Sequence, residues 1–353
     1  MTSTQAIAVG TSRIAADAPV FVIGEMSGNH NRDLDRALAI VDAVAGAGAQ
    51  ALKIQTYTAD TLTISSDKPA FRVANDHGLW GNRTLYELYE EAHTPWDWHA
   101  PIFERARSQG LIPFSTPFDL SSIAFLEELG VELYKTASAE IVDLPLIREI
   151  ARTGKPIIMS TGMATLAEID AAVSAARDAG CSDLVLLACT AAYPAQPQEA
   201  RLGNIEVLRR AFDVPVGLSD HTLGIGVGVA AAALGAVVIE KHVTLDRRDG
   251  GVDSDFSLSP AEMASLVVAS DQARLAVQSG EGFGPTEQER TVLALRRSLY
   301  VVADVRAGDV VSPQNVRSIR PAGGLPVDNV EIVMGRRFVA DAERGTPLTW
   351  DLI

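Results

Sequence analysis

Val214-Pro-Val-Gly-Leu-Ser-Asp-His221 and Ala236-Val-Val-Ile-Glu-Lys-His242 share one plan, a short apolar run followed by a polar end that closes on a histidine. A run that is apolar throughout belongs to a strand covered on both faces, as in a parallel sheet flanked by helices. Its loaded end then belongs at the carboxyl edge of that sheet. Two neutral imidazoles delivered from neighbouring strand ends can hold one divalent cation and leave positions open for water or substrate. The competing reading makes each an ordinary hydrogen-bonded histidine, because their separation matches no short metal motif. Between them, Gly224-x-Gly226-x-Gly228 has the wrong spacing for a dinucleotide loop and reads as close packing of a helix on the sheet.

Working outward, similar runs recur at Val20 to Glu25, Ala51 to Gln55, Leu111 to Ser115, Glu132 to Thr136, Pro156 to Ser160 and Leu184 to Cys189. With Val214 to Leu218 and Ala236 to Glu240 they make eight candidate strands. Helical spacing separates most of them: Leu34, Leu38, Val41 and Val44 fall on one face, and Gly46-Ala-Gly48 is a stop signal. Eight βα repeats predict a closed (β/α)8 TIM barrel. A doubly wound sheet is the alternative, weakened because no Gly-x-Gly-x-x-Gly follows the first strand. One connection, Thr56 to Pro95, is long enough to shape a pocket. Ser259 to Ser279 reads as the closing helix, and Gly280-Glu-Gly-Phe-Gly-Pro285 breaks it. The predicted organisation is a barrel over residues 1–280, a linker over 281–297 and a turn-rich module over 298–353.

The formal charge of -15 and pI near 4.8 argue against nucleic acid and anionic membrane surfaces, which attract clustered Lys and Arg. No run reaches the roughly 18 apolar residues of a membrane span, and Met-Thr-Ser-Thr-Gln opens no secretory signal. Only Cys181 and Cys189 are present, so the cytoplasm is the expected compartment and both are read as packed thiols.

In a barrel, residues just after each strand share one face, and that face carries the active site. Here it carries Glu25, Lys53 with Gln55, Ser115-Thr116, Lys135 with Ser138 and Glu140, Ser160-Thr161, Thr190 with Tyr193, Ser219-Asp220-His221 and Glu240-Lys241-His242. Strand capping explains some of the Ser and Thr, but not lysines inside apolar strands. A buried lysine is costly unless it is paired or meets an anion, so Lys53 and Lys135 either bind a phosphate or carboxylate or form structural ion pairs. Glu25 could move a proton at the same mouth. His30 is read as organising its loop, and Asp253 either binds sugar hydroxyls or caps a turn.

These motifs, Gly24-Glu-Met-Ser-Gly-Asn-His-Asn31, Lys53-Ile-Gln-Thr-Tyr57, Tyr134-Lys-Thr-Ala-Ser138, Ser160-Thr-Gly-Met163, Gly217-Leu-Ser-Asp-His-Thr222 and Glu240-Lys-His242, in this order resemble the sialic acid synthase family. Its members condense phosphoenolpyruvate with an N-acetylated amino sugar to make nine-carbon ulosonic acids. Ile319-Arg-Pro-Ala-Gly323 is similar to part of the antifreeze-like (SAF) domain that closes this family's C-terminus. The resemblance implies catalytic Glu25, Lys53 and Lys135, with Lys53, Thr116, Lys135, Ser138, Ser160 and Ser219 around phosphoenolpyruvate. It further implies Gln55, Glu140, Tyr193 and Asp253 around the sugar, and His221 and His242 around a divalent metal, Mn2+ with Mg2+ or Co2+ as alternatives. A domain-swapped homodimer is also implied, in which Arg320 from a second copy approaches an acetamido group.

Glu25-Met-Ser-Gly-Asn-His, Gln55-Thr-Tyr-Thr58, Gly78-Leu-Trp80 and Leu85-Tyr-Glu-Leu-Tyr89 resemble the branch whose sugar is 2,4-diacetamido-2,4,6-trideoxy-altrose. Branches that make N-acetylneuraminate or legionaminate from other N-acetylated hexoses are the alternatives, and a non-catalytic sugar-binding protein is the alternative of another class. The chain departs from the family at Ala191, where sialate synthases carry Asn and this branch a small hydroxyl residue. One phosphate contact is thereby in question.

Overall fold

A hairpin not expected from sequence comes first, in the computed structural model: β1 (Ile7–Val9) pairs antiparallel with β2 (Ser12–Ile14). The structure describes residues 6–73, 80, 81, 83–280 and 282–353. Residues 1–5, Gly78, Leu79 and Glu281, all used above, lie outside the described set. The chain divides into compact units, Met1–Ser279 and Gly280–Ile353.

In the first unit the apolar runs become β3 (Phe21–Glu25), β4 (Ala51–Thr56), β5 (Ile112–Pro117), β6 (Tyr134–Thr136), β7 (Ile157–Ser160), β8 (Leu184–Cys189), β9 (Val216–Asp220) and β10 (Val238–His242). They are parallel and close into a barrel through the β10–β3 pairing, so the expected (β/α)8 architecture is the observed one. Helices such as Leu34–Gly46, whose Asp33 side chain caps the first turn, alternate with the strands. The core face of that helix is Ala37, Ile40, Val41 and Val44, while Leu34 and Leu38 pack at its margin. The closing helix, Pro260–Gln278, starts at a capping box of Ser259 and Glu262.

The pleat sorts each strand into two cores. Val22, Leu52, Ile54, Met159, Leu186 and Leu218 face the helices. Phe21, Ile23, Ala51, Phe114, Ile158, Leu187 and Val238 fill the barrel interior together with Ile7, Val9 and Ile14. The hairpin therefore closes the barrel's amino-terminal end with apolar side chains. Side chains on a strand alternate with period two. Continuing the interior parity toward the carboxyl ends reaches Glu25, Lys53, Gln55, Thr116, Lys135, Ser160, Ser219, Glu240 and His242. One rule thus directs chemically diverse residues to one opening.

β9 and β10 begin and end two residues later than their sequence patterns suggest, because the ladder keeps running: Lys241 aligns with Asp220 and His242 with Glu25. Pro215 lacks a backbone N–H for the ladder, which accounts for the late start of β9.

In the second unit, β11 (Ser298–Val301) and β12 (Val316–Ile319) form an antiparallel pair over Leu299, Val301, Val311, Val316, Phe338 and Leu348. Among the described residues, no helix is long and apolar enough to cross a membrane.

Candidate active site

The floor of the barrel mouth is a buried ionic cluster. Lys53 Nζ lies 2.7 Å from Glu25 Oε2 and 3.4 Å from Glu240 Oε1, and donates to Thr116 Oγ1 at 3.4 Å. Lys135 Nζ donates to Ser160 Oγ at 2.7 Å and the Thr136 carbonyl at 3.1 Å, and stands 3.9 Å from Glu240 Oε1. Ser219 Oγ donates to the same Glu240 oxygen at 3.4 Å. Lys53 is 4% exposed, Lys135 2%, Glu25 0% and Glu240 4%, so little water screens these charges. Both readings of the lysines therefore have a structural counterpart. Lys53 is tightly paired, whereas Lys135 has hydroxyl and carbonyl partners and meets Glu240 only at 3.9 Å.

The two carboxylates are driven apart. Burial raises the Glu25 pKa, and the nearby Glu240 charge adds to the rise although Lys53 opposes it. Burial also acts against ionisation of Glu240, but Lys135 and Lys53 outweigh it and its pKa falls. Such a split separates an acid from a fixed charge. The environment thus favours the neutral form at Glu25 more than at Glu240, where it favours the anion. Burial lowers the Lys135 pKa, while the two carboxylates carry Lys53 upward against its own desolvation.

Above this floor the imidazoles of His221 and His242 lie with ring centroids 5.4 Å apart. His221 Nδ1 meets the Thr190 carbonyl at 2.9 Å, which fixes the ring and leaves Nε2 to offer a lone pair. His242 Nδ1 is buried without a hydrogen-bond partner and stands 3.8 Å from Asp253 Oδ2. Burial, followed by the charges of His221 and Lys53, holds the His242 pKa well below its usual value, so that ring is neutral. Burial alone would lower the His221 imidazole and raise the Cys189 thiol, but their mutual contact reverses both shifts.

No group of three or more His, Cys, Asp or Glu able to hold a metal occurs among the described residues. A cation here would rest on two imidazoles and draw its other ligands from water or substrate, as open catalytic sites do. An orphaned buried nitrogen beside a second, oriented imidazole fits that role.

A cavity of about 500 Å³ continues outward from this point. Ser27, Gln55, Ser138, Glu140, Tyr193, His242 and Asp253 supply its polar lining, and Tyr57, Leu62, Trp80, Leu88, Tyr89, Phe118 and Val252 much of its apolar wall. The long connection after β4 contributes part of that wall. Trp80 Nε1 donates to the Val252 carbonyl at 2.6 Å and its ring lies 5.3 Å from Tyr193. Burial raises the pKa of both Glu140 and Asp253. Ser138 Oγ accepts from Gly162 N at 3.1 Å and donates to Cys189 Sγ at 3.4 Å. Ala191 lines the cavity with no polar side-chain atom to offer.

The barrel thus gathers Glu25, Lys53, Gln55, Thr116, Lys135, Ser138, Glu140, Ser160, Tyr193, Ser219, His221, His242 and Asp253 around one opening. Arg320 follows β12 in the second unit, where it is exposed. His30 is bonded within its own region, Nδ1 accepting from Arg32 N at 3.1 Å and Nε2 meeting Thr94 Oγ1 at 3.4 Å. Sequence reasoning gave no particular role to Glu240, which shares the parity of His242 on β10, or to Cys189. It also passed over Phe256, whose ring lies 4.9 Å from His242, and Ser27.

Residues 40–282 match the model of the NeuB family and residues 296–353 that of the SAF domain. A pseudaminic acid synthase of Campylobacter jejuni is 42% identical over 94% of this chain and 96% of its own length. An N,N'-diacetyllegionaminic acid synthase of Legionella pneumophila is 37% identical, over 94% of each chain. Among solved structures, an N-acetylneuraminic acid synthetase of Leptospira borgpetersenii in complex with citrate aligns with a TM-score of 0.72 and 32% identity. That alignment covers 82% of this chain and 95% of the other.

Proposed function

Because this chain belongs to the NeuB family and ends in a SAF domain, we propose that its barrel mouth condenses phosphoenolpyruvate with 2,4-diacetamido-2,4,6-trideoxy-altrose, giving a nonulosonic acid and phosphate. This is the transferase reaction of a pseudaminic acid synthase, the activity named for the 42% identical relative. The observation that carries the reading is the cluster of Lys53, Lys135, Glu25 and Glu240 beneath two adjacent imidazoles, at the base of a largely apolar cavity. The charged floor suits a small dianionic acid, and the wall suits a sugar that carries methyl groups and few hydroxyls.

Lys53 and Lys135, with Thr116, Ser138, Ser160 and Ser219, hold the carboxylate and phosphate of phosphoenolpyruvate. Gln55, Glu140, Tyr193 and Asp253 meet the open-chain sugar. His221 and His242 would hold a divalent cation, Mn2+ with Mg2+ or Co2+ as alternatives, whose chemistry when bound is polarisation of the sugar aldehyde oxygen. C3 of phosphoenolpyruvate bonds to the aldehyde carbon, and Glu25, whose burial favours the protonated form, acts as the acid that gives the aldehyde oxygen its proton. The resulting Glu25 carboxylate accepts a proton from the water that adds at C2, and the tetrahedral adduct expels phosphate. Glu25 is then restored. Glu240 favours the charged form of both lysines.

Arg320 reaches the mouth from a second copy in a homodimer, and the free thiols Cys181 and Cys189 suit a reducing cytoplasm. Phosphate release from phosphoenolpyruvate, measured with this sugar, with the legionaminate precursor and with N-acetylmannosamine, tests the assignment. The altrose derivative is expected to give the highest kcat/KM. Preference for another sugar would move the chain to a sister activity, and no release with any would leave sugar binding without catalysis.

A further inference from the structure

Ser27 opens the turn after β3 with φ +47°, in the left-handed region that side chains rarely adopt. The following Gly28 is tightly enclosed, since a Cβ there would come within 2.3 Å of Val252 Cγ2. Glycine at position 27 would meet the backbone requirement without strain, so a serine there carries a conformational cost. Its side chain is 5% exposed and lines the cavity. Two groups from distant parts of the chain meet it: Ser27 Oγ donates to Asp253 Oδ2, and accepts from Gln55 Nε2 at 3.2 Å.

That hydroxyl sets the polarity of the groups around it. Gln55 Nε2 gives its other hydrogen to Glu25 Oε1 at 3.0 Å, so both amide hydrogens are engaged and the carbonyl oxygen is what Gln55 can offer a ligand. Asp253 Oδ2 is engaged by Ser27, which leaves Oδ1 as its free acceptor. A mouth edge lined by two oriented acceptors selects a ligand that brings donors, such as the N–H of an acetamido group.

We propose that Ser27 is a specificity-determining positioning residue, whose hydroxyl fixes Gln55 and Asp253 as paired acceptors for the N–H donors of an acetamido sugar. This rests on the function proposed above and adds the residue that sets its sugar preference.

The test compares the wild-type full chain with Ser27→Gly and Ser27→Ala by thermal unfolding and by steady-state kinetics on the same sugars. Ser27→Gly relieves the strain and removes the hydroxyl. It should melt at or above the wild-type temperature while its KM for the diacetamido sugar rises on the order of ten-fold. KM for phosphoenolpyruvate should stay within two-fold, and preference for the diacetamido sugar over N-acetylmannosamine should narrow. Ser27→Ala should show the same kinetic loss without the gain in melting temperature. Unchanged sugar KM and selectivity in both variants would overturn the inference while leaving the wild-type activity, and the function, intact. A Ser27→Gly protein that melts well below wild type would also overturn it, by making the hydroxyl a fold staple. Wild-type protein inactive on every sugar would remove the function and this inference together.

Discussion

Replacing Glu25 by Gln separates proton transfer from electrostatic anchoring, because the amide keeps the shape and loses the proton. Glu25 is wholly buried, with Lys53 Nζ 2.7 Å from one oxygen and the Gln55 amide 3.0 Å from the other. Lys53 also has Glu240 at 3.4 Å and Thr116 at 3.4 Å, so it does not become an unpaired buried cation in the variant. Burial raises the Glu25 pKa and so disfavours its charged form, which makes a neutral amide less costly there than at an exposed carboxylate. Loss of a positioned general acid and base lowers kcat about 10²- to 10⁴-fold, or about 2.7–5.5 kcal/mol of barrier. Phosphoenolpyruvate affinity by calorimetry should stay within about three-fold, a small effect on the scale of a lost charged contact.

The linkage carries its own sign. A carboxyl whose folded pKa is raised binds more protons folded than unfolded, so its contribution to stability is full below the unfolded value and is lost as pH rises through the folded one. Glu25→Gln should therefore lose less stability than wild type as pH climbs across that window. Near-normal turnover in the variant would refute the proton role. A fall in phosphoenolpyruvate affinity large enough to match the loss of rate would make Glu25 an anchor instead.

Lys135→Met should weaken phosphoenolpyruvate binding by roughly 30-fold or more at a modest cost in melting temperature, because buried Glu240 loses one of its two cations but keeps Lys53 at 3.4 Å; unchanged affinity would remove Lys135 from the anion site. Lys241→Met should cost about 3 kcal/mol in denaturant unfolding, since Lys241 and Asp220 form a fully buried pair at 2.7 Å. Adding Asp220→Asn should recover part of that loss, and a single variant as stable as wild type would show the pair to be idle. Stripping divalent ions with a chelator should abolish turnover, with Mn2+ restoring it, and His221→Ala should lose direct Mn2+ binding by calorimetry; full activity after stripping would argue against any metal role.

The barrel was legible because its strands are largely apolar runs whose polar residues gather toward the carboxyl end, with Lys53 and Lys135 as the lysines set inside theirs. The hairpin was not, since three-residue strands such as Ile7–Val9 carry too little pattern to stand out. Most of the mouth could be read from strand parity: Glu25 continues Phe21 and Ile23, and Lys53 continues Ala51. Glu240 obeys the same rule, but its importance depends on two lysines delivered from β4 and β6, a meeting that only barrel closure produces. Ser27 was hidden for a related reason, because its partner Asp253 lies 226 positions away and its left-handed backbone leaves no mark in composition. Parity also sends Lys241 to the outer face of the sheet, where it pairs with Asp220 although it adjoins a histidine of the mouth.

The most direct measurement follows one carbon. Phosphoenolpyruvate carrying ¹³C at C3 is incubated with the protein, Mn2+ and the diacetamido altrose while ¹³C spectra and phosphate are recorded together. The olefinic signal should convert to an aliphatic methylene within a nine-carbon acid, one for each phosphate released. A pyruvate methyl signal in its place, or an olefinic signal that persists with every amino sugar, would contradict carbon–carbon bond formation at this barrel mouth.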